Sequence, residues 1–202
     1  MKQFAKDIVE LGDVDNGMIR FGLVVYGTDV RVQFKLNQYS YQSQILNSFD
    51  QIPYLTGSTN TADALRSLWT DMFTEKNGDR SDAQNIAIVV TDGVSNINNQ
   101  RTVPEAQQAK INGVHIYAIG INLDDTREIK AIASEPSSEN LYTIENFDDL
   151  TGLKENLFMS MCREGRTGLT KMYLSFLSVS HGGGNPARIL LEANFTIVDL
   201  RF

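Results

Sequence analysis

The chain has 202 residues, of which 42% are hydrophobic and 21% charged, with a net charge of −7 at neutral pH. These values fit an ordinary globular domain with some extra material. They argue against nucleic acid or an anionic membrane surface as the main partner, and no apolar run approaches the roughly 18 residues of a membrane span.

The N-terminal stretch MKQFAKDIVELG carries Phe4, Ile8, Val9 and Leu11 on one helical face, a pattern of an amphipathic helix and not of a secretory signal. Met18 to Gly27, MIRFGLVVYG, reads as a buried strand. In the following DVRVQFKL, Val30, Val32, Phe34 and Leu36 alternate with polar residues, which predicts a half-exposed edge strand paired as a hairpin. After a polar stretch, TGSTNTADALRSLWTDMF places Leu65, Leu68, Trp69, Met72 and Phe73 on one stripe of a core helix. Ile86 to Val90 is a continuous β-branched run suited to a strand covered on both faces. It ends on Asp92, with Gly93 expected to let the chain turn away.

The alternation continues. VPEAQQAKINGV leads into the strand Val114 to Ile121, and DDTREIKAIAS forms a short helix opened by acids. NLYTI is a short strand, and Phe147, Leu150, Leu153, Leu157, Phe158 and Met161 mark a last amphipathic helix. This order predicts an α/β fold: a doubly wound, mostly parallel sheet with helices on both faces and one antiparallel edge strand. The composition shifts at Arg163, so residues 163–202 read as an appended segment of unassigned role beside a domain spanning 1–162.

The candidate chemistry lies at two loops. In LTGSTNTADAL, Thr56, Ser58, Thr59 and Thr61 cluster before a helix, where hydroxyls and Asn60 serve as N-caps or one hydroxyl serves a cation. In open α/β sheets ligands sit beyond the carboxyl ends of the strands, which places Asp92 at that rim. A threonine oxygen and a carboxylate from neighbouring loops suit a hard cation. His115 falls within an apolar strand, where a structural role is expected, and His181 lies in the appended segment. No nucleophile-base constellation and no phosphate-binding G-x-x-x-x-G-K-[ST] motif is present. Cys162 is the single cysteine, which rules out an internal disulfide.

The hairpin RFGLVVYGTDVRVQFKL, the loop GSTNTADAL, the strand end IVVTDGVSN and the segment GVHIYAIGI occur in that order over about residues 1–162. Together they resemble a von Willebrand factor type A domain of the extracellular branch found in collagen VI, matrilins and integrin I domains. The resemblance implies a metal-ion-dependent adhesion site, with Thr59 and Asp92 ligating Mg²⁺ or Mn²⁺ and an acidic residue of a protein partner completing the coordination. It implies a secreted, non-enzymatic module that binds collagen or another matrix protein. An intracellular A-domain scaffold and a Mg²⁺-dependent phosphoryl-transfer enzyme on a similar sheet are the competing readings. The sequon Asn194-Phe195-Thr196 would carry sugar only in a secreted chain.

One departure from the family pattern shapes the expectations. The family's central first strand, ending in Asp-x-Ser-x-Ser, is missing from the sequence, so the domain reads as N-terminally truncated and its metal binding as weak. The upstream cysteine with which Cys162 might pair in relatives is missing too. The vacant central position is expected to be filled from the appended segment. Met172 to Val179 is the first choice, with Ser178 and Ser180 emerging near Thr59 and Asp92, and Asn194 to Leu200 is a second apolar stretch. Otherwise the segment forms a hairpin around HGGGNP.

Overall fold

The computed structural model describes residues 1–52, 57–164 and 193–199. Helix α1 (Lys2–Leu11) leads into β1 (Ile19–Tyr26), which turns at Gly27 into β2 (Val30–Phe34). Helices α2 (Gln42–Ser48) and α3 (Thr61–Ser67) follow, and α3 continues as a π turn, Leu68–Met72. Strand β3 (Gln84–Thr91), α4 (Asn99–Ile111) and β4 (Val114–Ile121) come next. The order closes with α5 (Arg127–Ile132), α6 (Ser137–Asn140), β5 (Leu141–Ile144), α7 (Leu150–Glu164) and β6 (Ala193–Asp199).

The strands form one sheet in the order β2-β1-β6-β3-β4-β5. Only β1 and β2 run antiparallel, at one edge, and every other pair is parallel. The β-branched runs explain why both faces are covered. On one face Phe21, Leu23 and Val25 of β1 and Ile86, Ile88 and Val90 of β3 pack with Phe4 and Ile8 of α1 and Leu157 and Met161 of α7. On the other, Val24, Tyr26, Ala87 and Val89 pack with Leu65 of α3, Ala106 of α4 and Ile129 of α5. Each Val, Leu, Ile, Phe or Met side chain among them contributes about 1.5–3 kcal/mol when moved out of water, so successive residues of a strand secure opposite layers. Helix α2 was not anticipated. It buries Ile45 and half-buries Leu46, too few apolar residues to stand out as a stripe.

The central position corrects one expectation. Met172 to Val179 is not the inserted strand; Ala193–Asp199 is, paired in parallel with Ile19–Val25 of β1 and with Gln84–Val90 of β3. Residues of the segment read as an appendage are therefore part of the sheet. Nearness to the last helix favours Met172 to Val179, but that criterion is weak. The link from α7 to β6 is 28 residues (165–192), against seven to Met172. Two doublings of loop length cost only about 1.2 kcal/mol, which strand pairing and β-branched content (Thr196, Ile197 and Val198 in sequence) readily offset. Residues 172–180 and the HGGGNP stretch lie outside the described residues.

Candidate functional site

The carboxyl ends of β1, β6 and β3 meet the loops before α3 and α4 at one rim of the sheet. After β1 the chain turns at Gly27 and Thr28, and the loop into α3 is tied directly to that turn. Asn60 donates its backbone N–H to the Gly27 carbonyl at 2.9 Å. The amide of Ser58 donates to Thr28 Oγ1 at 3.1 Å, and the Asn60 side chain donates to the Thr28 carbonyl at 3.3 Å. Gly57 has φ +116°, and a Cβ there would lie 2.3 Å from Thr28 Oγ1, so this close approach requires glycine. The helix cap is Asn60, whose side chain accepts from the Asp63 amide at 3.2 Å; no hydroxyl of the cluster takes that role. Thr61 lies within the first turn, fully buried, and Thr56 is outside the described residues.

Thr59 and Asp92 come together at this rim. Thr59 is only 4% exposed, and its Oγ1 lies 3.7 Å from where a Cβ on Gly93 would stand. The loop after β3 grips the Thr59 backbone from both sides. The Thr59 carbonyl accepts from the amides of Asn96 at 3.1 Å and Ile97 at 3.2 Å and from the Ser95 hydroxyl at 3.4 Å. Its own amide donates to Asn96 Oδ1 at 2.8 Å. Asp92 is half-buried, with Oδ1 withdrawn from solvent.

Gly93 does not play the conformational part expected of it. Among the described residues the positive-φ glycines are Gly17, Gly57, Gly78 and Gly113. The Asp92–Gly93 corner is instead braced by Thr91, whose hydroxyl donates to the Gly93 carbonyl at 2.6 Å and lies 3.2 Å from the Gly93 amide. On the far side Ser95 donates its amide to Glu128 Oε1 of α5 at 2.8 Å. Burial pushes the Glu128 carboxyl above its ordinary range, and the charge of Asp125 adds to this against the Ser95 hydrogen bond. Asp125 itself sits at about 2, because the Arg127 guanidinium and backbone amide both donate to it. Ser95, Asn96 and Glu128 were missed by sequence reasoning. The only signals were the polar residues just beyond Asp92 and an acid opening α5.

The central strand runs to the same end of the sheet. Asp199 ends β6 on the rung of Val25 and Val90, two residues short of Gly27 and Asp92. The donor chemistry near Thr59 and Asp92 is hydroxyl and carboxylate oxygen, which fits a hard divalent cation at two positions of its shell. Among the described residues no group of three or more His, Cys, Asp or Glu side chains is placed to hold a metal ion. His115 serves the fold: its Nε2 lies 2.9 Å from Asn140 Oδ1 and its ring 4.8 Å from that of Tyr117. No helix among the described residues is long and apolar enough to cross a membrane.

Comparison with known proteins agrees with this fold. The family model of the von Willebrand factor type A domain matches residues 1–156. A mouse collagen alpha-4(VI) chain is 35% identical over 164 residues, 80% of this chain and 7% of that protein. Mouse integrin alpha-X is 33% identical over 165 residues, 78% of this chain and 14% of that one. Human matrilin-1 is 31% identical over 166 residues, 81% of this chain and 32% of that one. The chain thus spans a minor part of the length of these relatives. Among solved structures, proximal thread matrix protein 1 from the mussel byssus, with a zinc-occupied MIDAS motif, superposes with TM-score 0.74 and 27% identity, covering 80% of this chain and 42% of that one. Manganese-loaded TRAP protein of Plasmodium vivax matches in fold alone, with TM-score 0.59 and 19% identity over 77% of this chain and 64% of that one.

Proposed function

This chain belongs to the von Willebrand factor type A domain family, and from that premise we propose that it is a protein-binding adhesion module of an extracellular matrix or cell-adhesion protein, which engages its partner at the rim holding Thr59 and Asp92. The observation that supports the reading is the grip of residues 95–97 on the Thr59 backbone, which sets Thr59 next to Gly93, the neighbour of Asp92, at the carboxyl end of β3. The relatives named above are a collagen chain, a matrilin and an integrin, which supports an extracellular setting and a matrix partner such as a collagen.

Thr59 and Asp92 are the residues that would hold Mg²⁺ or Mn²⁺, and by register Asp199 is the acid that the central strand brings to the same rim. A bound cation would supply a positive centre for an acidic residue of the partner. Water molecules and that residue would fill the remaining positions, and affinity for the ion alone is weak because few protein oxygens contribute. In this reading the protein's own groups perform positioning and not bond making. The Asn96 and Ser95 contacts fix Thr59, and Thr91 fixes the corner at Asp92.

The test is solid-phase binding of the chain to immobilised collagen and matrilin, with Mn²⁺ or with chelator, alongside Asp92→Ala, Thr59→Ala and Asp199→Asn. Binding that needs Mn²⁺ and falls at least tenfold in Asp92→Ala is the expected result. Unaltered binding in both Asp92→Ala and Thr59→Ala would remove the rim from the interaction.

A further inference from the structure

We infer that Asp63, in the first turn of α3, is a positioning residue that sets Thr59 against the loop carrying Asp92. The inference rests on the reading of this rim as the partner-binding edge, and it adds a residue that neither loop contains. Asn60 is the link. It follows Thr59 directly and is only 6% exposed, with both polar atoms of its side chain engaged. Its Oδ1 accepts from the Asp63 amide at 3.2 Å, and its Nδ2 donates to Asp63 Oδ2 at 2.9 Å and to the Thr28 carbonyl at 3.3 Å. A side-chain amide nitrogen carries two hydrogens, so these two acceptors use both. Removing the Asp63 carboxylate would leave one of those buried donors without its acceptor, which is costly. The Asn60 side chain is therefore fixed in one orientation between α3 and the turn after β1, and Thr59 is fixed beside it.

The same carboxylate reaches the other loop. Asp63 Oδ1 lies 3.2 Å from Arg101 Nη1 of α4, and Asn98 Nδ2 lies 3.5 Å from Asp63 Oδ2. Asn98 ends the loop that begins at Asp92, and it adopts a φ of +51°. A residue other than glycine in that region is held there by its surroundings. Its side chain does not cap α4 and faces Asp63, while its carbonyl accepts from the Arg101 amide at 2.8 Å. Arg101 is itself aimed. Its Nη2 donates to Glu105 Oε1 at 2.7 Å, and the buried Glu105 accepts from Trp69 Nε1 through Oε2 at 3.2 Å. An acid in the first turn of a helix ordinarily serves the helix dipole. Asp63 also joins three parts of the rim: the turn at Thr28 through Asn60, the loop before α3, and the start of α4. The spacing of Thr59 and Asp92 depends on how those two loops are held, so losing this carboxylate loosens the pair while leaving both residues in place.

The experiment uses the full chain, with Asp63→Asn and Asp63→Ala and with Lys35→Met for comparison. Lys35→Met removes an ion pair of similar exposure, Lys35–Asp71, beyond the end of β2 remote from the rim. Amide exchange is the first readout. The amides of Ser58, Thr59 and Asn60 are all hydrogen-bonded across the rim. In the Asp63 variants they should exchange at least about tenfold faster, while 86–90 stays as protected as in wild type. Binding to immobilised collagen and matrilin over a Mn²⁺ series is the second readout. The Mn²⁺ concentration for half-maximal binding should rise about tenfold in the Asp63 variants, with the saturated level unchanged. Lys35→Met should leave that concentration and the exchange at 58–60 at their wild-type values, which separates positioning from a general loss of stability. Wild type that binds without Mn²⁺ would count against the function proposed for the rim, and the exchange result would then decide the role of Asp63 by itself. Unaltered exchange at 58–60 in both Asp63 variants would overturn the inference. So would an unshifted Mn²⁺ midpoint where wild-type binding does depend on Mn²⁺.

Discussion

Lys154→Met tests how the first and last helices are held side by side. Asp7 of α1 is only 8% exposed and receives two hydrogen bonds, from Gln3 Nε2 at 2.7 Å and from Lys154 Nζ of α7 at 3.0 Å. The substitution keeps an unbranched side chain and deletes the cation. A charge-assisted hydrogen bond to a buried carboxylate is worth about 1.5–3 kcal/mol, and the 30% exposure of the lysine side chain places this one near the lower end, about 1.5 kcal/mol. For a domain of this size that lowers the melting temperature by about 3–6 °C at pH 7. Burial pushes the Asp7 carboxyl upward, but the hydrogen bonds from Gln3 and Lys154 and the lysine charge outweigh it and hold the group below its ordinary value of 3.8. The folded state therefore binds the proton less tightly than the unfolded chain. The stabilisation is present above the unfolded value and is lost as pH falls through the lower folded one. Melting curves of both proteins from pH 7 down to pH 2 should show the gap closing below about pH 4. Equal melting at pH 7, or a gap that persists unchanged at pH 2, would refute the reasoning.

Gly57→Ala forces a side chain into the left-handed region and against Thr28 Oγ1, and should cost at least about 2 kcal/mol in urea unfolding while loosening the loop that carries Thr59. Glu128→Gln retains an acceptor for the Ser95 amide while removing a carboxyl whose folded value is raised by burial. The folded state holds that proton more tightly, so wild type loses stability as pH rises from the ordinary glutamate value of 4.5 through the folded one. The variant should lack this loss and be at least as stable as wild type at pH 7, and a variant less stable at pH 7 than at pH 4 relative to wild type would contradict that sign.

Hydrophobic pattern was enough to read most of the fold. Ile86 to Val90 is apolar at every position because both sheet faces are covered, whereas Val30, Val32 and Phe34 alternate because β2 lies at the antiparallel edge. The pattern could not say which appended stretch enters the sheet. Met172 to Val179 and Asn194 to Leu200 are both apolar enough, and chain distance from α7 discriminates poorly when loop closure depends only on the logarithm of length. At the rim, Thr59 and Asp92 were legible because loops before helices and carboxyl ends of parallel strands converge on one edge. Asn96, Ser95 and Glu128 were not. Their contribution is a hydrogen bond to a backbone group of a distant loop, and no spacing of residue types records which carbonyl or amide will face them.

The position of β6 also orders the events of folding. Among the described strands it lies between the first and the third, yet it is the last of the six in chain order. Ile19 must wait for Ala193 before it gains its parallel partner. Contacts so distant in sequence demand that the chain be closed before they reward it, and topologies rich in them fold slowly. While the ribosome is still extending the chain, β1 has its hairpin with β2 and β3 can pair with β4, but the two groups are not yet joined. The intervening stage presents two strand edges and the apolar faces beside them, features that favour aggregation.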